Sequence, residues 1–105
     1  MDLATLTYES AKALEGTAFQ VELPDGNVVP MTLDEVLPYE FRQRRRPRGT
    51  TPRREPFSVY FLGPVSPILP QAMYTFRGET QSIEKLFIVP IGQDGDATEY
   101  EAVFT

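Results

Sequence analysis

The sequence predicts an all-β fold: an antiparallel β-barrel or sandwich of about six strands with one short N-terminal helix. Two observations carry that prediction. Apolar and polar residues alternate over short stretches, which is the period of a half-buried strand. Turn residues separate those stretches about every ten residues, as in antiparallel all-β chains. An α+β arrangement, with the helix packed on one curved antiparallel sheet, is the alternative. The 105 residues fit a single domain, 1–105.

The helix is expected from Thr7 to Leu14. Thr7 or Thr5 serves as N-cap, and Gly16 suits the C-terminal stop. Leu3, Leu6, Tyr8 and Leu14 form its apolar side. A helix this short must dock on something to persist. From Ala18 to Leu23, Phe19, Val21 and Leu23 alternate with Gln20 and Glu22. That strand ends at Pro24-Asp25-Gly26-Asn27, a turn in which Pro presets φ and Gly accepts the left-handed position.

The return strand runs from Val28 to Leu37. Val29, Met31 and Leu33 share a face, then the phase slips and Val36 takes over, which predicts a bulge near Asp34. Thr32-Leu33-Asp34-Glu35 also fits a helical capping box, but flanking β-branched residues favour the strand. Pro30 predicts an edge strand or an irregularity, because it has no N–H to give to a ladder.

Residues 40–56 lose all periodicity, and Pro38, Pro47, Pro52 and Pro56 bracket them. A mobile Arg/Pro-rich loop is expected there. Phe57–Leu62 is a strand with bulky residues on both faces, so a central one. Pro67 and Pro70 make 65–71 an irregular connection. Ala72–Arg77 is a strand with Tyr74 and Phe76 on one face, and Ile83–Ile91 is the most apolar strand. Gln93-Asp94-Gly95-Asp96 is a hairpin turn. Thr98–Phe104 then places Tyr100, Ala102 and Phe104 inward, with Glu99 and Glu101 toward solvent.

Composition narrows the chemistry. The chain has no Cys and no His, which excludes disulfides, thiolate or imidazole metal sites and a Ser-His-Asp triad. Asp94, Asp96, Glu99 and Glu101 form the densest acidic cluster, but Asp-Gly is ordinary hairpin chemistry and no calcium-loop pattern surrounds it. Asp34 and Glu35 are adjacent, and on a regular strand they face opposite ways, so they do not converge on a substrate. Glycine-rich phosphate motifs are missing. No catalytic, cofactor or metal residue is therefore assigned, and the chain is expected not to be an enzyme. Tyr39, Tyr60, Tyr74, Tyr100 and Phe41 would stack a ligand in a small-ligand-binding barrel, although aromatics at strand spacing are usually core.

Charge is unevenly placed. Ten basic and fifteen acidic residues give a net −5. Seven of the basic residues, Arg42, Arg44, Arg45, Arg46, Arg48, Arg53 and Arg54, fall between positions 42 and 54. That segment carries +7, and three cations against fifteen carboxylates leave −12 on the rest. The arginines are the candidate partner-binding residues. Three readings stay open: a solvated loop, docking to an acidic protein surface such as a neighbouring copy, or binding of a polyanion. Nucleic acid is the less favoured partner, because the acidic remainder repels it. Paired arginines sit mid-chain with no apolar stretch behind them, and neither an export signal nor a run long enough to span a membrane is expected. Cytoplasmic synthesis follows as the expectation.

Several segments together resemble a small uncharacterised bacterial family. They are Leu14-Glu15-Gly16-Thr17-Ala18-Phe19, Leu23-Pro24-Asp25-Gly26, Thr32-Leu33-Asp34-Glu35-Val36, Arg54-Glu55-Pro56-Phe57-Ser58, Leu69-Pro70-Gln71-Ala72-Met73-Tyr74, Phe87-Ile88-Val89-Pro90-Ile91-Gly92 and Tyr100-Glu101-Ala102-Val103-Phe104. The likeness spans nearly the whole chain. It implies an association with phage-tail-collar-type fibre proteins and brings no catalytic residue with it. The expectation it adds is a non-enzymatic protein–protein interaction module of a phage-tail-like fibre system. Its partner would be a fibre-type protein or a second copy, assembled into an extracellular structure.

Overall fold

The computed structural model describes residues 7–38, 57–79 and 81–104. They form a closed barrel of six antiparallel strands with one helical turn and a half beside it. The elements are α1 (Tyr8–Lys12), β1 (Ala18–Glu22), β2 (Val28–Pro38), β3 (Phe57–Pro64), β4 (Ala72–Gly78), β5 (Ser82–Asp94) and β6 (Ala97–Phe104). Around the wall the order is β1-β2-β3-β6-β5-β4, and β4 closes on β1 through Phe19↔Gly78 to Glu22↔Thr75. The barrel is the outcome among the expected architectures; the sandwich and the helix-on-open-sheet alternatives are overturned by that last pairing.

Turn chemistry sets the hairpins. Gly26 has φ 93°, and the Asp25 carboxylate accepts the Asn27 N–H at 3.0 Å. Gly95 has φ 63° at the first position of the two-residue loop that joins Asp94 to its partner Ala97, the place where such turns take glycine. Three bulges bend the wall, as closure of a small sheet requires. Asp34 is the extra residue of β2 between Leu33↔Phe61 and Glu35↔Tyr60. Ile91 is the extra residue of β5 between Pro90↔Tyr100 and Gly92↔Glu99. Glu84 and Lys85 together oppose Thr75 between Tyr74↔Leu86 and Phe76↔Ile83.

The bulge near Asp34 was expected, and two details around it change. Asp34 and Glu35 do not face opposite ways: the bulge leaves both exposed, while Leu33 and Val36 stay buried on either side. Pro30 does not mark a free sheet edge, because β2 pairs on both sides within a closed wall. It lies where β2 is paired with β1 alone (Gln20↔Pro30), since the ladder to β3 begins only at Thr32↔Leu62. The missing N–H is tolerated there because that flank asks for no donor.

The interior is filled by side chains. Phe19, Phe61 and Phe76 are almost fully buried and touch one another, with ring centroids 4.6 Å apart for Phe61–Phe76 and 6.1 Å for Phe19–Phe76. Phe57 stacks on Phe104 at 4.8 Å, and Tyr8 of α1 meets the Phe57 ring edge-on at 6.2 Å. Each such ring contributes about 1.5–3 kcal/mol of burial. Gly63 makes room for this packing: a Cβ there would stand 3.2 Å from Met31 and 3.3 Å from Tyr100.

The two ends are closed differently. At one end α1 is capped by Thr7, whose Oγ1 accepts the Ser10 N–H while Ser10 Oγ accepts the Thr7 N–H. Ala11 and Leu14 are buried against the barrel. At the other end the chain must travel from β3 to β4, with β6 and β5 between them. Residues 65–71 make that crossing, with Leu69 buried and its N–H donated to the Tyr100 hydroxyl at 2.9 Å.

Candidate interaction surface

With the interior occupied, recognition chemistry must come from the outer wall and the loops. Strand alternation sends every second residue outward. On β4, β5, β6 and β2 several of these are large and apolar. Met73 is 63% exposed, Phe87 46%, Val103 49% and Leu37 40%. The register sets them in a band that wraps four of the six inter-strand steps of the closed wall, broken at β3 by the buried Ser58. Met73 faces Phe87 across β4 and β5. Val103 faces Ser58 across β6 and β3, and Ser58 faces Leu37 across β3 and β2. Phe87 and Val103 each stand two residues beyond the Val89↔Glu101 pair on the same face. Ile91, the extra residue of the β5 bulge, is also exposed, four residues along β5 from Phe87.

Beside the band lies a polar cluster. Glu101 Oε2 accepts hydrogen bonds from Ser58 Oγ at 3.0 Å and from Tyr60 Oη at 3.1 Å. Ser58 is 2% exposed even though it stands in the outer band. Burial, and then the neighbouring Glu101 carboxylate, push the Tyr60 hydroxyl pKa above its ordinary value. Glu101 was expected to point freely to solvent; it is instead the shared acceptor that holds two hydroxyls of β3 in place. The cluster donates both protons to one carboxylate, so it has the form of a positioning network.

Two depressions lie in the surface formed by the described residues. One, of about 240 Å³, is bounded by Glu22, Leu23, Met73, Thr75 and Lys85 among others. The second, of about 220 Å³, lies between Leu14, Phe19 and Gly78. Neither gathers convergent carboxylates. Among the described residues no group of three acidic, His or Cys side chains is placed to hold a metal ion. Among them, too, no helix is long and apolar enough to cross a membrane. Tyr74 and Tyr100 are buried in the core, with Tyr74 Oη donating to the Pro70 carbonyl at 2.8 Å.

A family model described as "Domain of unknown function (DUF6916)" matches residues 6–104. The chain belongs to that family. No curated protein and no solved structure matches it. The segment-by-segment resemblance to an uncharacterised family is met by this match, which covers the same stretch.

In this DUF6916 chain Arg42, Arg44, Arg45, Arg46, Arg48, Arg53 and Arg54 lie outside the described residues, as do Tyr39 and Phe41 and the expected loop over 40–56. Their points of attachment are described. Pro38 and Phe57 pair with each other, so the segment leaves and returns at the end of the barrel where α1 sits. Leu37 of the apolar band is the residue before Pro38. Sequence reasoning missed the band because its members come from four strands that only the register aligns. The available signal was the odd positions of the apolar strands: Phe87 between Leu86 and Ile88 must face away from them.

Proposed function

We propose that the protein is a non-enzymatic protein–protein interaction module, a structural or assembly component of a phage-tail-like fibre system. The observation that carries this reading is the outer band of Met73, Phe87, Val103 and Leu37 on a barrel whose interior is filled. Met73, Phe87 and Val103 stand side by side on β4, β5 and β6, and an exposed apolar patch of this kind marks a contact surface. The arginines at 42–54, in the segment between Pro38 and Phe57, supply the charge to select and steer an acidic protein partner. The fibre-type identity of the partner rests on the family resemblance. A small ligand inside the barrel has less support, since Phe19, Phe61, Phe76 and Tyr100 occupy the space it would need.

The test is affinity purification from the native host with three baits: the wild-type chain, Phe87→Glu, and a chain lacking residues 42–54. Recovery of a fibre-type protein with the first bait, and its loss with the other two, is expected. Equal recoveries from all three baits, or none from the first, would end the proposal.

A further inference from the structure

We infer that the open flank of β4 at Met73 takes a short extended peptide that carries a carboxylate, added as a strand in line with β1. The inference rests on the protein-interaction reading proposed above, and it names a site and a partner chemistry for it.

Backbone alternation isolates the site. Gly78 donates its N–H to the Gln81 carbonyl at 2.7 Å, so Gly78 turns toward β5. Successive residues of an antiparallel strand turn their N–H and C=O to opposite sides. Phe76 and Tyr74 therefore also face β5, and Arg77, Thr75 and Met73 face β1. The β1 side agrees: Leu23 donates to the Asn27 carbonyl toward β2 at 2.9 Å, which turns Glu22 and Gln20 toward their partners Thr75 and Arg77. One hydrogen-bonding step further, the same register sets Pro24 against Met73. Pro24 has no N–H to give, and β1 has already ended at Glu22. Both backbone groups of Met73 are left without a partner among the described residues, on a residue that is 63% exposed.

The depression bounded by Glu22, Leu23, Met73, Thr75 and Lys85 lies on this flank. Small-molecule pockets run from about 300 to 1,000 Å³. At about 240 Å³ this one suits a residue or two of a passing chain, with Leu23, Pro24 and Met73 as its apolar lip. Its charge comes from the β5 bulge. Of Glu84 and Lys85, which together oppose Thr75, Lys85 lines the depression and Glu84 does not. Bulges re-aim side chains in this way, and Lys85 takes up its place at φ 57°. Backbone held in so costly a region clusters at ligand-holding sites. Glu22 is taken by Arg77, whereas Lys85 has no ion pair among the described residues. One N–H, one C=O and one ammonium thus stand unclaimed beside apolar surface. An extended peptide supplies the matching C=O and N–H, and a carboxylate side chain matches the ammonium.

Proton–nitrogen NMR of the full chain tests this with two capped peptides, acetyl-Val-Glu-Val-Thr-amide and acetyl-Val-Lys-Val-Thr-amide, at millimolar concentration. In the free protein the Met73 amide should exchange with solvent rapidly and the Tyr74 amide slowly; equal protection of the two sinks the premise. The glutamate peptide should shift the amides of Met73, Thr75 and Lys85. It should bind about threefold more tightly than the lysine peptide, the scale of an exposed ion pair. Met73→Pro removes only the outward N–H, as an edge position allows, and should abolish binding in an intact barrel, whereas Met73→Leu should keep it. Should Met73→Pro fail to fold, Lys85→Gln gives a second reading, because it should remove the preference for the glutamate peptide. Absence of shifts with both peptides, unchanged binding in folded Met73→Pro, or a preference that survives Lys85→Gln would overturn the inference. A chain that takes neither peptide yet still recovers a fibre-type protein as bait loses the strand site and leaves the proposed function standing. A chain that takes the glutamate peptide at Met73 and recovers no protein does the reverse.

Discussion

The Tyr100 hydroxyl, deep in the barrel, accepts the backbone N–H of Leu69 at 2.9 Å. Both residues are buried, and the bond fastens the 65–71 crossing across the barrel end. Three further contacts hold that crossing: Gln93 Nε2 and Thr98 Oγ1 donate to the Val65 carbonyl, and Tyr74 Oη donates to the Pro70 carbonyl. Tyr100→Phe keeps the ring and strands the Leu69 N–H without an acceptor. A buried unsatisfied donor costs about 1–3 kcal/mol. Tyr74→Phe removes a donor instead, and the exposed Pro70 carbonyl can turn to water, so its cost should fall below about 1 kcal/mol. Urea unfolding of both variants checks the order. A Tyr100→Phe midpoint equal to that of the wild type would show that the crossing does not depend on this bond.

Lys85 holds φ at 57°, the left-handed region, in the β5 bulge opposite Thr75. For a residue with a side chain that conformation costs about 1–2 kcal/mol. Glycine removes the cost and adds about 0.5–1 kcal/mol of chain entropy to be lost on folding. Lys85→Gly should therefore raise the unfolding midpoint slightly or leave it level. Lys85→Val should lower stability by more than about 1 kcal/mol, since a β-branched residue is a true outlier at positive φ. Both variants remove the same charge, so their difference reports the backbone alone. Equal midpoints for Gly and Val would refute the account of the bulge.

Local pattern made the individual strands legible, and physical reasons explain where it stopped. Alternation told which residues of β1, β4 and β6 face inward, and Phe19, Val21, Tyr74, Phe76, Tyr100, Ala102 and Phe104 are all buried. It could not tell which strands are neighbours. The pairing of β1 with β4 joins residues more than fifty positions apart, and closure depends on it. The bulge at Asp34 showed as a phase slip in an alternating stretch. The one at Ile91 did not, because β5 is apolar on both faces from Leu86 to Ile91; Ile83-Glu84-Lys85-Leu86 carries the same slip as Leu33-Asp34-Glu35-Val36, and there it went unread. The same apolarity left the face taken by Phe87 unread. The candidate surface was legible only in its charged part, since Arg42 to Arg54 are contiguous in sequence. Met73, Phe87 and Val103 become neighbours only through the registers.

At the opposite end of the barrel, both backbone groups of Val36 are taken by an ion pair between the last residue of α1 and the turn that follows it. Val36 donates its N–H to Glu15 Oε2 at 2.8 Å, and its carbonyl accepts from Lys12 Nζ at 3.2 Å. Lys12 and Glu15 are 3.0 Å apart. The Val36 N–H foremost, and then Lys12, hold the Glu15 carboxyl pKa below its ordinary value of 4.5. A carboxyl with a lowered folded pKa adds stability that is present above the unfolded pKa and lost as pH falls through the folded one. The window lies from about pH 4.5 downward. The hydrogen bond from Lys12 to Glu15 raises the Lys12 pKa, so its contribution is present below the ordinary lysine value and lost at more alkaline pH. Glu15→Gln keeps an acceptor for the Val36 N–H but cannot titrate. Urea midpoints measured at neutral pH and through the acid window should fall more steeply for the wild type than for Glu15→Gln. Because the pair is exposed, the difference should shrink in molar salt. Parallel acid limbs for the two proteins would mean that α1 is held by Ala11 and Leu14 packing alone.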